Sequence, residues 1–197
     1  MPRGRSFDPV AVLDAAIDLF WADGYAGVSM QDIADASGIG NGSIYLAFGS
    51  KWNLFIEAFR VYCARRVELV RAGVFVTAGS TEDIVSAYFD AIIAACASDP
   101  QRRGCLLINS IAELGDDAAV AEIARQTIGK MEAELAGAIV RASDARADSS
   151  DVARAAEQAV AMSQSLILGS RLGRPTPDLQ MTGRAAARTI ARGVLVS

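Results

Sequence analysis

The stretch SGIGNGSIYLAFGSKWNLF, from Ser37 to Phe55, sets four glycines, a tyrosine and a lysine among large apolar residues. Gly38 supplies a turn that residues with a Cβ resist, and Ile39, Ile44 and Phe48 turn inward around a short helix, Asn41 to Phe48. Just upstream, Ser29 with Asp32 three residues later is a capping-box-like start for another short helix, Met30 to Ala36. Its Ile33 and Ala34 face inward, and Ala34 is small where two crossing helices must approach closely. Two short helices joined through glycine make a helix-turn-helix, in which the first braces and the second is offered to the major groove of DNA. Ser43, Tyr45 and Leu46 then point outward. Lys51 opens the next helix, where an ammonium beside free backbone N–H groups suits a phosphate. Periodicity alone fits equally well an ordinary helical hairpin whose glycines only make turns.

Working outward, Asp8-Pro9 opens a first helix with Val12, Leu13, Ala16, Ile17 and Phe20 on one face, until Gly24 stops it. From Ser50 a longer helix carries Trp52, Phe55, Ile56, Phe59, Tyr62 and Cys63 as far as about Ala72. The pattern then predicts helices near 81–98, 102–114, 117–142, 151–172 and 177–195. Thr81 and Thr176-Pro177-Asp178 are starts, Asp99-Pro100 is a stop, and 141–151 is polar enough for a loop. No convincing strand emerges. The expected fold class is all-α, with the helix-turn-helix in an N-terminal domain over 1–50 and a helical bundle over 51–197.

Composition narrows the chemistry. Of 197 residues, 52% are hydrophobic and 21% charged, enough apolar material for a substantial core. Histidine is absent, which removes Ser-His and Cys-His pairs, histidine metal sites and the commonest general base. With no nucleophile elbow, phosphate loop or carboxylate cluster of metal spacing either, no enzyme, cofactor or metal is expected. The three cysteines, Cys63, Cys96 and Cys105, have no CxxC spacing and suit reduced thiols. No uncharged apolar run approaches a membrane span, and residues 1–10 hold no signal core, so a cytoplasmic location is expected. The net charge is −4, and residues 1–66 carry six basic against seven acidic side chains. Any DNA contact must therefore use placement, not a bulk basic field.

Residues 15–59 resemble the DNA-binding domain of the tetracycline-repressor (TetR) family of bacterial transcriptional regulators. The matching pattern is Ala16, Leu19 and Phe20, Gly24-Tyr25, Ser29, Asp32-Ile33-Ala34, Gly38-Ile39, Gly42-Ser43-Ile44-Tyr45, Phe48-Gly49-Ser50-Lys51 and Leu54-Phe55. The resemblance implies a homodimer on a double-stranded operator, an N-terminal three-helix DNA-binding domain, a C-terminal domain for ligand binding and dimerisation, and repression relieved by a small-molecule effector. Carried over by position, Ser29, Tyr45 and Lys51 would bond phosphates, while Gly42 and Ser43 bring backbone and hydroxyl close to DNA. Arg3 and Arg5 resemble the basic arms that family members lay along DNA. Asn41 stands where the family is often basic, Leu46-Ala47 where histidine or tyrosine is common, and Trp52 where an acid is frequent. These swaps suggest that Asn41 reads adenine, that Leu46 touches a thymine methyl, and that the salt dependence of binding is shallow.

In the second half, residues 153–170 carry no charge after Glu157 and are apolar or small on nearly every face, so they need cover all round. Together with 177–195, where Leu179, Gly183, Ala186, Ile190 and Val194 form one stripe and Arg184, Arg188 and Arg192 a solvated one, they are the expected homodimer surface. Candidate ligand-pocket residues are Tyr88, Phe89, Ile92, Asn109, Glu113, Thr127, Met131, Met162 and Leu166, all of which also fit plain core. Gly-Cys-Leu segments like that at Cys105 occur in a branch of the family, some of whose members sense reactive or metal species. Cys105 near a helix start is accordingly either a sensor thiol or a buried hydrophobe. The competing reading of the whole chain is a helical small-molecule- or partner-binding protein without DNA function. The outward Ser29, Ser43, Tyr45 and Lys51 argue against it.

Overall fold

Short polar side chains mark where most helices begin. In a computed structural model that describes residues 8–75, 79–142 and 148–195, Asp8 accepts from the Val10 amide at 2.9 Å ahead of α1 (Pro9–Gly27). Ser29 and Asp32 close a reciprocal capping box on α2 (Met30–Ser37), and Ser80 with Asp83 does the same on α5 (Thr81–Ala97). Ser50 caps α4 (Lys51–Phe75) through the Asn53 amide at 3.1 Å. Asp117 and Asp148 serve α7 (Ala118–Ala142) and α8 (Ser149–Arg171). α3 (Asn41–Phe48) and α6 (Leu106–Leu114) start without a side-chain cap. α9 (Thr176–Leu195) follows a tight turn after α8. The described residues are all-α, as expected.

Two boundaries differ from the sequence reading for physical reasons. Gly24 does not end α1 but breaks it, at φ 72° and ψ 173°, and a further turn runs to Gly27. The predicted helix from 102 begins only at Leu106. Asp99 instead ties the preceding turn together, accepting from the Arg103 amide at 2.7 Å and its Nε at 3.2 Å.

The chain forms two compact units that alternate along the sequence. The first takes residues up to Ala64 together with Cys105–Ala124, so α6 and the start of α7 group with the N-terminal helices, α6 against α1. Its core is Val12, Ala16, Ile17 and Phe20 of α1, Ile33 and Ala34 of α2, Ile44 of α3, Leu54, Phe55 and Phe59 of α4, and Leu106 and Leu107 of α6. The rings stack and cross: Phe20 to Phe55 at 5.2 Å and Phe55 to Phe59 at 5.7 Å. Such contacts add about 0.5–1.5 kcal/mol per pair beyond buried area. The division expected at residue 50 follows the motif, whereas the packing unit runs on into α4 and adds α6.

The second unit, Arg65–Gly104 with Arg125 onward, is centred on α5, against which α8 and α9 pack. Gly183 of α9 makes the close approach possible, since a Cβ there would lie 3.3 Å from the Phe89 Cβ. This corrects the reading of α9. Its stripe of Leu179, Gly183, Ile190 and Val194 is buried, and Gly183 packs against α5 of the same chain. Ala187, not Ala186, completes it. Arg184, Arg188 and Arg192 are exposed.

Candidate nucleic-acid interface

α3 is presented by the residues around it. Ile44 is fully buried and anchors the helix, while Gly38 at φ 69° and Gly49 at φ 79° turn the chain at either side. On the opposite face Tyr45 is 48% and Leu46 89% exposed, with Gly42 open and Ser43 half-buried beside them. A large apolar side chain left almost wholly in water has no structural purpose in this unit. Gly40 leaves the first amides of α3 without a side-chain acceptor, which gives the helix start a residual positive field. A Cβ on Gly42 would meet nothing within 4 Å, so the helix start is unobstructed.

The other named side chains are more committed. The Ser29 hydroxyl accepts from the Asp32 amide at 3.1 Å and donates to Asp32 Oδ2 at 2.7 Å. To donate to a phosphate it must give up the second bond. Those bonds hold the Asp32 carboxyl below its ordinary range. Asn41 donates through Nδ2 to Gln31 Oε1 at 3.2 Å, and Gln31 in turn donates to Asp35 at 2.8 Å. Its amide thus braces α3 on α2, and reading adenine would require it to turn. Lys51 stands at the first residue of α4, but its Nζ lies 4.4 Å from the centre of the Tyr25 ring. Arg3 and Arg5 lie outside the described residues.

Residues 12–58 match the family model of bacterial regulatory proteins of the tetR family. The chain is similar to the transcriptional repressor ComR of Escherichia coli K12, 33% identical over 115 residues, which take in 58% of this chain and 55% of ComR; it thus spans about half of that relative. It is 28% identical over 145 residues to the transcriptional regulator YezE of Bacillus subtilis 168, 73% of this chain and 74% of that one. Among solved structures, a cysteine mutant of the TetR-family regulator CifR, complexed with 26-base-pair operator DNA, superposes with a TM-score of 0.77 at 26% identity, over 94% of this chain and 98% of CifR. Residues 12–58 thus carry a likeness to the tetR family of bacterial regulators, and the fold of CifR extends over nearly the whole chain. The proteins the chain resembles are transcriptional regulators, one of them complexed with operator DNA, which favours the DNA-binding reading over one without DNA function.

The candidate pocket residues do not form one set. Tyr88, Phe89, Ile92, Thr127, Met131 and Leu166 are buried in the second unit, whose centre is α5. Met162 is half-buried on α8. Cys105, Asn109 and Glu113 belong to the first unit. Cys105 is buried, and the Tyr62 hydroxyl donates to its Sγ at 3.5 Å while accepting from the Leu106 amide at 3.2 Å. Glu113 is a correction. Rather than lining a pocket, its carboxylate accepts from the Tyr25 amide at 2.9 Å and the Ala26 amide at 2.8 Å. No sequence signal ties residue 113 to residue 25; only the packing of α6 on α1 brings them together.

Sequence reading also missed an open groove of about 710 Å³ between α8 and α9, lined by Gln158, Ala161, Met162, Ser165, Thr182, Ala185, Ala186, Thr189 and Ile190. Its lining has no charged side chain. Among the described residues, no group of three or more His, Cys, Asp and Glu side chains could hold a metal ion, and no helix is long and apolar enough to cross a membrane.

Proposed function

We propose that this protein is a TetR-family repressor that binds its operator as a homodimer, residues 1–50 reading DNA and residues 51–197 supplying dimerisation and an effector site. The observation that carries the DNA side is α3 itself: an anchored helix with an uncapped start, whose outer face leaves Tyr45 and Leu46 in water. Tyr45 and Ser43 contact phosphates, Gly42 admits the backbone, and Leu46 meets a thymine methyl. Lys51 reaches a phosphate from its seat on Tyr25, with Ser29, Asn41, Arg3 and Arg5 in supporting roles. Two readers must span half-sites about 34–36 Å apart or a multiple of that distance, and a two-fold partner supplies the second.

The dimer surface is the outer face of α8 and α9. Thr182, Ala185, Ala186 and Thr189 are small enough for close helix approach, and Leu168, Leu172 and Met181 extend the apolar area at 57%, 75% and 66% exposure. An apolar effector that binds better to a conformation unfavourable for the operator lowers DNA affinity by that difference. The second-unit members of the candidate set, Tyr88 to Leu166, supply apolar walls for it.

The test is binding of the purified protein to DNA from its own upstream region, with Tyr45→Phe and Lys51→Ala as controls. The parent should bind, and each variant should bind more weakly. Variants that bind like the parent would remove these two residues from the interface.

A further inference from the structure

We propose that Glu113 is a positioning residue for the DNA reader: from α6 it fixes the backbone at Tyr25 and Ala26, and through the Tyr25 ring it sets where Lys51 stands. This rests on the DNA-reading role given above.

The break in α1 creates the need. At Gly24, φ 72° interrupts the helix, and the turn that follows begins with amides that have no carbonyl behind them. Glu113 answers with both oxygens, Oε2 to Tyr25 N at 2.9 Å and Oε1 to Ala26 N at 2.8 Å. A carboxylate at a helix start is favoured twice, by charge-assisted hydrogen bonds and by the helix field. The fit is close, because a Cβ on Gly24 would stand 2.8 Å from Oε2. Most caps in this chain come from two or three residues away and fold with their own helix; Asp8, Asp32, Asp83 and Asp148 are of that kind. Glu113 reaches across 87 and 88 residues, so its cap exists only when α6 is seated on α1.

What is held there is not an idle turn. The Tyr25 ring packs 5.1 Å from Phe55 and 5.5 Å from Trp52, and it carries the Lys51 ammonium at 4.4 Å. Backbone movement at Tyr25 therefore moves the platform under the one lysine of the reader. An amide in place of the carboxylate keeps the volume but offers one acceptor oxygen to two N–H donors and no charge.

The experiment measures operator binding by fluorescence anisotropy across a salt series, with a thermal melt of each variant. Parent, Glu113→Gln, Gly24→Ala, Lys51→Ala and the Glu113→Gln/Lys51→Ala double variant are compared. Glu113→Gln should weaken binding about threefold to tenfold and flatten the salt slope, and Gly24→Ala should reproduce it. In the Lys51→Ala background the same change should cost less than about twofold, because both residues act through one contact. Glu113→Gln binding like the parent, or losing as much without Lys51 as with it, reduces Glu113 to a stabilising cap and overturns the inference. If Glu113→Gln melts below the assay temperature, Gly24→Ala carries the same cycle with Lys51→Ala, and additivity there is equally fatal. A parent that binds no upstream fragment overturns the DNA-reading role itself; a parent that binds while the cycle is additive overturns the positioning role alone.

Discussion

α3 and the α8–α9 face both leave large side chains in water, and they do so with different neighbours. On α3, Tyr45 and Leu46 stand beside Gly42, Ser43 and an uncapped helix start, so hydroxyls and backbone amides surround a single apolar contact. On α8, α9 and the turn between them, Leu168, Met181 and Leu172 accompany a groove of small, polar and apolar residues with no charge in its lining. The first arrangement suits a polyanion read at close range, where amides and hydroxyls meet phosphate. The second suits another apolar helix pair, where small residues let backbones approach. Exposure alone does not say what a surface meets; the chemistry beside it does.

Four experiments sharpen or break that contrast. Ala185→Glu puts a carboxylate into the α8–α9 groove and should give a monomer by light scattering, with operator affinity down about 100-fold or more because the second reader is lost. A dimer that persists with full affinity would show that this face is not the interface. Lys51→Ala should leave the dimer intact, weaken operator binding about tenfold and reduce the salt slope by about one, and the parent slope itself should be shallow. Next, Ser29→Ala removes the α2 cap and should lower stability by about 1 kcal/mol in urea melts. The same capping box gives an acid dependence. Its hydrogen bonds hold folded Asp32 below 3.8, so the stability it contributes is complete above that pH and declines as pH falls below it. Urea midpoints at pH 3 should therefore fall more steeply in the parent than in Asp32→Asn.

The smallest effect belongs to the second unit. Partial burial, and then the negative charge of Glu157, push the Glu132 carboxyl up from 4.5. Ionised Glu132 costs the fold a little at neutral pH, so Glu132→Gln should raise Tm slightly there. That gain should vanish as pH falls through the raised value to below 4.5. No gain at pH 7 would mean that solvent already screens the pair.

The reader was legible because its determinants are local. Gly38, the Ser29–Asp32 box and the spacing of Ile33, Ile39 and Ile44 lie within sixteen residues, and α3 spans the predicted Asn41–Phe48. Sites made by distant residues were not. The sequence marks Asn41 as a base reader and Lys51 as an outward group, yet each has a partner, Gln31 or Tyr25, that spacing could not assign. The candidate pocket mixed residues of two units because apolar helical stripes look alike whichever neighbour they cover.

The sequence by itself determined an all-α chain, the helix-turn-helix and the likeness of residues 12–58 to tetR-family regulators, since caps, glycine turns and apolar periodicity act over a few residues. Tertiary structure alone decided that α6 joins the N-terminal unit, that Glu113 caps the broken α1, and that the buried stripe of α9 packs within its own chain while its outer side forms the groove. Those outcomes depend on which helices meet, and burying apolar surface rewards any good fit without naming the partner in the sequence.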